Sequence, residues 1–232
     1  MTDPRLLFTV ADLLLSRVTR SSDKVVIRSD RGSLTYGEID ERSRVVADNL
    51  HALGVRRGDS VATMVQETHQ AVAVWFACAR AGFVEVPLSV ELKGELLVEA
   101  VQGANCSIVI AGDDPAVIQQ LDALEERLPR RFEVSSLEHA ASIEERCDQP
   151  LGPDGISLIL YTSGTTGRSK GVRLSDRMTM RLAWSVVDHV GLTGDDVLFT
   201  VFPLHHIAAR FVSVVAAMLI DGEAVIQARF SA

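Results

Sequence analysis

Residues 156–171 read ISLILYTSGTTGRSKG. The first six, Ile156 to Tyr161, read as an apolar run interrupted only by Ser157, the pattern of a strand buried on both faces of a helix-covered parallel sheet. A second strand is expected at Gly171 to Leu174, then a helix from Asp176 to about His189 with Ser175 as its N-cap. Strand Val197 to Phe202, helix Ile207 to Ile220 and strand Ala224 to Gln227 follow. On the N-terminal side, strand-like runs at Ser60 to Val65, Phe83 to Pro87 and Ser107 to Ala111 alternate with helical stretches at His69 to Arg80, Gly94 to Val101 and Pro115 to Leu128. This alternation predicts βαβ units and a layered α/β fold with a largely parallel sheet.

The segment before these repeats reads differently. An amphipathic helix opens the chain. Lys24 to Arg28 and Ser33 to Thr35 then flank an Asp30-Arg31-Gly32 turn, the pattern of a small hairpin. Thr35 and Glu38 form a capping box for a long helix that stops at Gly54. The polar stretch 135–153, with Pro150 and Gly152-Pro153, reads as a surface connection and a possible subdivision of the chain.

Composition narrows the function. With 47% apolar and 23% charged residues, the chain has the balance of a folded soluble domain. Its net charge of −8 argues against non-specific binding to nucleic acid or to an anionic membrane, so any basic site must be local. The three cysteines, Cys78, Cys106 and Cys147, contain no CxxC pair, and are expected to be reduced thiols in a cytoplasmic protein. The longest apolar run, Phe211 to Ile220, is too short for the roughly 20 residues of a membrane span.

The chemistry concentrates in Tyr161-Thr162-Ser163-Gly164-Thr165-Thr166-Gly167-Arg168-Ser169-Lys170-Gly171. Glycines let backbone N–H groups approach an anion, hydroxyls donate further hydrogen bonds, and a lysine supplies a mobile positive charge. Between Gly155 and Ser175 the only ionised residues are Arg168, Lys170 and Arg173, so an acidic chain places its cations, without an acid, around one loop. That suits a polyphosphate. A plain turn between two strands uses the same residue types. The spacing of Gly164 and Gly167 matches neither a Walker A loop nor GxGxxG.

YTSGTTGRSKG resembles the phosphate-binding signature of the adenylate-forming (AMP-binding) enzymes, among them acyl-CoA synthetases, peptide-synthetase adenylation domains and luciferases. Ser169 stands where many members carry proline. Leu34-Thr35-Tyr36-Gly37-Glu38, Gly58-Asp59-Ser60-Val61, and Ala81-Gly82 before Val86-Pro87-Leu88 are similar to the family's N-terminal region, as is Phe202-Pro203-Leu204-His205-His206-Ile207. The resemblance implies that 1–232 is an incomplete N-terminal AMP-binding domain of an acyl-CoA synthetase-like ligase, without the C-terminal domain and its catalytic lysine. It implies that Thr162, Ser163, Gly164, Thr165, Thr166 and Gly167 cradle the β and γ phosphates of ATP. Lys170 would balance departing pyrophosphate, and His206 would orient the acyl carboxylate. It also implies Mg²⁺ and, as co-substrate, CoA, with a small carboxylic acid as the acyl donor.

An alternative stays open: a non-catalytic nucleotide- or phosphate-binding module, or a truncated remnant. Thr193-Gly194-Asp195 reads as a turn, and Asp113-Asp114 before Pro115 as a helix cap rather than a metal pair. The apolar stretch Ile207 to Gln227 is expected to be exposed and to favour self-association.

Overall fold

A computed structural model of the chain describes residues 8–139, 148–162 and 170–227. Its strands fall into two sheets. The larger is built from β3 (Ser60–Met64), β4 (Val84–Pro87), β5 (Cys106–Ala111), β6 (Arg131–Glu133), β7 (Ile156–Thr162) and β8 (Lys170–Ser175), in the order β6-β5-β3-β4-β7-β8. Every neighbouring pair is parallel except β7 and β8, which form an antiparallel hairpin. The smaller sheet joins β1 (Val25–Ser29), β2 (Gly32–Thr35), β9 (Val197–Thr200) and β10 (Glu223–Ile226) in the order β2-β1-β10-β9. Ends of the chain far apart in sequence therefore share one sheet.

The helices follow the local signals. In α1 (Val10–Ser21) and α2 (Tyr36–Ala52), Thr9 with Asp12 and Thr35 with Glu38 form complete capping boxes. Past the end of α2, Gly54 takes φ +97°, a backbone angle that disfavours a side chain. Helix α3 (Thr68–Ala81) is capped by the Glu67 carboxylate, which accepts from the His69 and Gln70 amides. Alternation along the strands sorts their side chains between layers. Val61, Ile108 and Ile110 pack with α2 and α3, whereas Ala62, Met64, Val109 and Ala111 pack with α4 (Gly94–Gly103) and α5 (Pro115–Asp122).

A third cluster occupies the space where both sheets meet. It combines Ile27 and Ala224 of the small sheet, Leu158 and Leu160 of β7, Trp75 and Phe76 of α3, Met180 and Ala183 of α7 (Asp176–Val190), and Phe211 to Leu219. Asp176 ties this region to the N-terminus: its buried carboxylate accepts from the Val10 amide at 3.0 Å and the Ser157 hydroxyl at 2.5 Å. Burial raises its pKa.

Several expectations need correction. The helix from Pro115 stops at Asp122, because Leu124 leaves the helical region at φ −121° and a short 3₁₀ turn, Glu125–Arg127, follows. This break lets both Leu124 and Leu128 pack on the α4–α5 cluster. Strand β6, unexpected from its polar sequence, is an edge strand only partly buried. The expected strand Val197 to Phe202 ends at Thr200, whose hydroxyl accepts from the Phe202 amide and turns the chain. Ser175 occupies the cap position of α7 but makes no cap hydrogen bond, being the buried last residue of β8. Residues expected as one helix divide into a π-helical stretch, Ala208–Val215, and α8 (Ala216–Ile220). Nor does Ile207 to Gln227 present an apolar surface, since β10 lies inside its sheet and Phe211 to Leu219 are largely buried. Among the exposed apolar residues are Val197 and Phe199 of the edge strand β9, 60% and 61% exposed. The stretch 135–153, expected as a surface connection, begins inside a short helix, α6 (Val134–Leu137), whose Leu137 is buried, and it leads from β6 to β7 of the larger sheet.

Candidate functional site

The hairpin β7–β8 is an antiparallel ladder from Ile156 and Ser175 to Thr162 and Lys170. Thr162 pairs with Lys170 across the ladder, and both side chains are exposed. Residues Ser163, Gly164, Thr165, Thr166 and Gly167, with Arg168 and Ser169, lie outside the described residues. One residue earlier, the Tyr161 hydroxyl donates to the Ala100 carbonyl of α4 at 2.8 Å, locking β7 to the helix behind it. Burial pushes its pKa upward. Gly171 makes room for that ring: a Cβ there would stand 2.9 Å from the Ile159 side chain and 3.3 Å from the tyrosine. Lys170 and Arg173 are both exposed on the edge strand β8, on opposite faces of it.

The histidine turn is built by buried contacts. Leu204 is buried in the cluster that also holds Leu160 of β7. The His206 amide donates to the Pro203 carbonyl at 2.9 Å. Its ring stacks on Phe202, centroids 4.9 Å apart and planes 17° from parallel. The His206 Nδ1 accepts from the Ala208 amide at 3.3 Å. In the neutral ring this puts the proton on Nε2, so the exposed histidine presents a donor outward. His205 turns the other way, half-buried beside Arg210. Burial first, then the positive charge of Arg210 and the neighbouring His206, push its pKa down to about 4.

Beneath the turn lies an ion pair that sequence reasoning missed. Arg210 grips Glu85 with both terminal nitrogens, at 2.5 and 2.7 Å, and both side chains are only 2% exposed. The Arg210 Nε donates to the Leu204 carbonyl. Its guanidinium also lies over Trp75, 4.7 Å from the ring centroid, while the Thr63 hydroxyl donates to Glu85 at 3.0 Å. Two signals were available: a lone acid in the apolar strand Val84–Pro87 and a lone base in the apolar run from Ala208. Charges so placed are rarely left without a partner.

These contacts bring the two elements to one edge. Leu204 and His205 border the same small void as Thr63, Glu85, Pro87 and Leu88, so the turn sits against the C-terminal end of β4. Strand β4 pairs directly and in parallel with β7. The histidine turn and Thr162 thus meet the sheet at the C-terminal ends of adjacent strands. A cleft of about 720 Å³ lies elsewhere on that edge, where Met64 and Gly112 mark the ends of β3 and β5. Its lining mixes Arg31 and Arg42 with the carboxylates of Asp30, Glu67, Asp113 and Asp114; Arg42 is paired with Glu138, and Glu67, Asp113 and Asp114 already accept protein donors. Asp114 is the α5 cap expected from sequence, and Thr193 donates to Asp196 in the expected turn. Among the described residues no cluster of His, Cys, Asp or Glu could hold a metal ion, and no helix is long and apolar enough to cross a membrane.

The family model described as "AMP-binding enzyme" matches residues 14–232. The chain belongs to the AMP-binding enzyme family. Feruloyl-CoA synthase of an Amycolatopsis species is 31% identical over 217 residues, covering 92% of this chain and 43% of that protein. Crotonobetaine/carnitine–CoA ligase of Salmonella agona is 26% identical, covering 85% of this chain and 41% of that protein. The chain thus spans about two fifths of the length of these AMP-binding relatives. Among solved structures, ATP-bound MatB of Rhodopseudomonas palustris superimposes with TM-score 0.81 at 28% identity, covering 97% of this chain and 46% of MatB. The o-succinylbenzoate CoA synthetase of Bacillus subtilis with its acyl-adenylate intermediate gives TM-score 0.86 at 23% identity, covering 94% of this chain and 44% of that one. The α/β architecture is thus that of adenylate-forming N-terminal domains.

Proposed function

We propose that this chain supplies the nucleotide- and acyl-positioning part of an ATP-dependent carboxylate–CoA ligase that works through an acyl-adenylate. The observation that carries the reading is the meeting of two elements at the ends of adjacent strands: a cationic hairpin and a histidine with an outward donor. In the first half-reaction a carboxylate oxygen bonds to the α-phosphorus of ATP, the bond from that phosphorus to the bridging oxygen breaks, and pyrophosphate leaves. Attack by the CoA thiolate on the acyl carbon then expels AMP and gives the thioester.

Such chemistry is governed by positioning and by neutralising charge. Thr162, Ser163, Thr165 and Thr166, with the Gly164 and Gly167 amides, cradle the terminal phosphates, and the Lys170 ammonium offsets the charge that moves onto pyrophosphate. The His206 Nε2–H donates to the substrate carboxylate and fixes its approach. The described residues of the hairpin include no carboxylate for magnesium, so the ion is expected as the nucleotide's companion. The buried Cys78 and largely buried Cys106, free thiols both raised in pKa by burial, suit a reducing, cytoplasmic setting.

Calorimetry with ATP and magnesium tests the reading, together with carboxylate-dependent exchange of pyrophosphate into ATP. Binding by the wild-type chain that is lost in Lys170→Ala supports it. Binding indifferent to that substitution overturns it, and binding without exchange in any protein containing this domain favours a non-catalytic module.

A further inference from the structure

We infer that Arg210 and Glu85 act as positioning residues, a buried strut that holds the His205–His206 turn in register with the end of strand β4. The inference rests on the reading of His206 given above for its functional meaning, though its geometry stands independently. A turn at the end of an edge strand has few constraints of its own. Among the described residues no ladder holds this one beyond Thr200, and its own bonds are all local: the Phe202 amide to the Thr200 hydroxyl, the His206 amide to Pro203, the Ala208 amide to the His206 ring and the Arg210 amide to the His206 carbonyl.

The outside restraint is the guanidinium. Its Nε takes the Leu204 carbonyl, at the centre of the turn, while its two terminal nitrogens take the Glu85 carboxylate bidentately. Glu85 belongs to β4, the strand paired with β7, and is held in turn by the Thr63 hydroxyl of β3. A planar fork bonded on two sides transmits orientation as well as proximity. The π-helical stretch contributes the rest. Its wider turn carries Arg210 four residues after His206, buried and facing Trp75 and Glu85. Such stretches are frequently found at functional sites. The chain therefore references its acyl-side histidine to the strand beside the phosphate hairpin by one rigid chain of bonds: Leu204 carbonyl, Arg210, Glu85.

NMR on this chain decides the matter, reading the ring nitrogens of His206 and the hydrogen exchange of the His206 and Ala208 amides. The paired apolar replacement Glu85→Leu with Arg210→Met removes the strut without stranding a charge. It is expected to unfold cooperatively as wild type does, while those two amides exchange about tenfold faster than in wild type and the β9 amides do not change. The His206 ring is expected to lose its Nε2–H signature and report a mixture of tautomers. If the paired variant does not fold, Arg210→Lys answers instead: the charge stays, the fork goes, and the same changes are expected. Folded variants with wild-type exchange and an unchanged ring signature overturn the inference. Wild-type chain that binds no ATP while the strut result holds defeats the functional reading alone.

Discussion

The β7–β8 hairpin and the histidine turn arrive at the same sheet edge by opposite routes. The hairpin is local: Thr162 faces Lys170 in one antiparallel ladder, and both are exposed. The turn is non-local: its fixing contact joins residues 125 positions apart and is almost wholly buried. A charge placed at an exposed position costs the fold little and stays free to meet a ligand. A charge placed beneath the turn must be paired, and in being paired it sets geometry. Within the proposed site, then, ligand contact and ligand positioning would fall to regions of very different depth.

The sharpest way to break this contrast is to strand each charge in turn. Glu85→Leu leaves Arg210 buried without its counter-ion and is expected to lower the unfolding free energy by about 3–5 kcal/mol. Lys170→Ala is expected to change it by no more than about 0.5 kcal/mol. Urea denaturation of both variants checks the pair, and equal losses would erase the distinction.

Acidification probes the turn without mutation. His205 has its pKa lowered from an ordinary 6.5 to about 4, so between those values the unfolded chain binds more protons than the folded one. Stability must therefore rise with pH through this window and fall as pH drops from about 6.5 towards 4. The loss is smaller than for Glu85→Leu because His205 is only half-buried and water screens it. In His205→Gln the slope of stability against pH across this window should flatten, and an unchanged slope would assign it to other groups.

At the hairpin, Tyr161→Phe removes the donor to the Ala100 carbonyl and is expected to cost about 0.5–1.5 kcal/mol by thermal or urea unfolding. A loss nearer that of Glu85→Leu would mean that the hairpin base is as deeply embedded as the turn. Thr162→Val, at an exposed ladder position, is the mildest change, with an expected stability effect within about 0.5 kcal/mol. Weaker ATP binding in that variant, seen by calorimetry, would show its hydroxyl contributing to the ligand rather than to the fold.

The same depth difference explains what could be read from sequence. Strands β7 and β8, the Thr35 and Asp114 helix caps and the βαβ alternation follow from patterns within a few residues, and these were legible. The partner of β1 was not, because β10 lies almost 200 residues away and nothing local names it. Nor was the π-helical stretch, since an apolar run containing Arg210 reads as an ordinary helix until Glu85 is seen opposite it. Edge strand β6 escaped because its three residues, Arg131 to Glu133, alternate too briefly to carry a period. His205 and His206 were both visible, but their opposite orientations depend on Arg210 beneath one and Phe202 beside the other.

The central claim is that nucleotide is held at the edge where β7 and the histidine turn meet, and amide chemical-shift mapping with ATP and magnesium tests it most directly. The account predicts the largest shifts at Thr162, Lys170 and Gly171, with smaller ones at His206 and Ala208. Shifts confined to His69, Gln70 and Asp113, at the large cleft between β3 and β5, would contradict it.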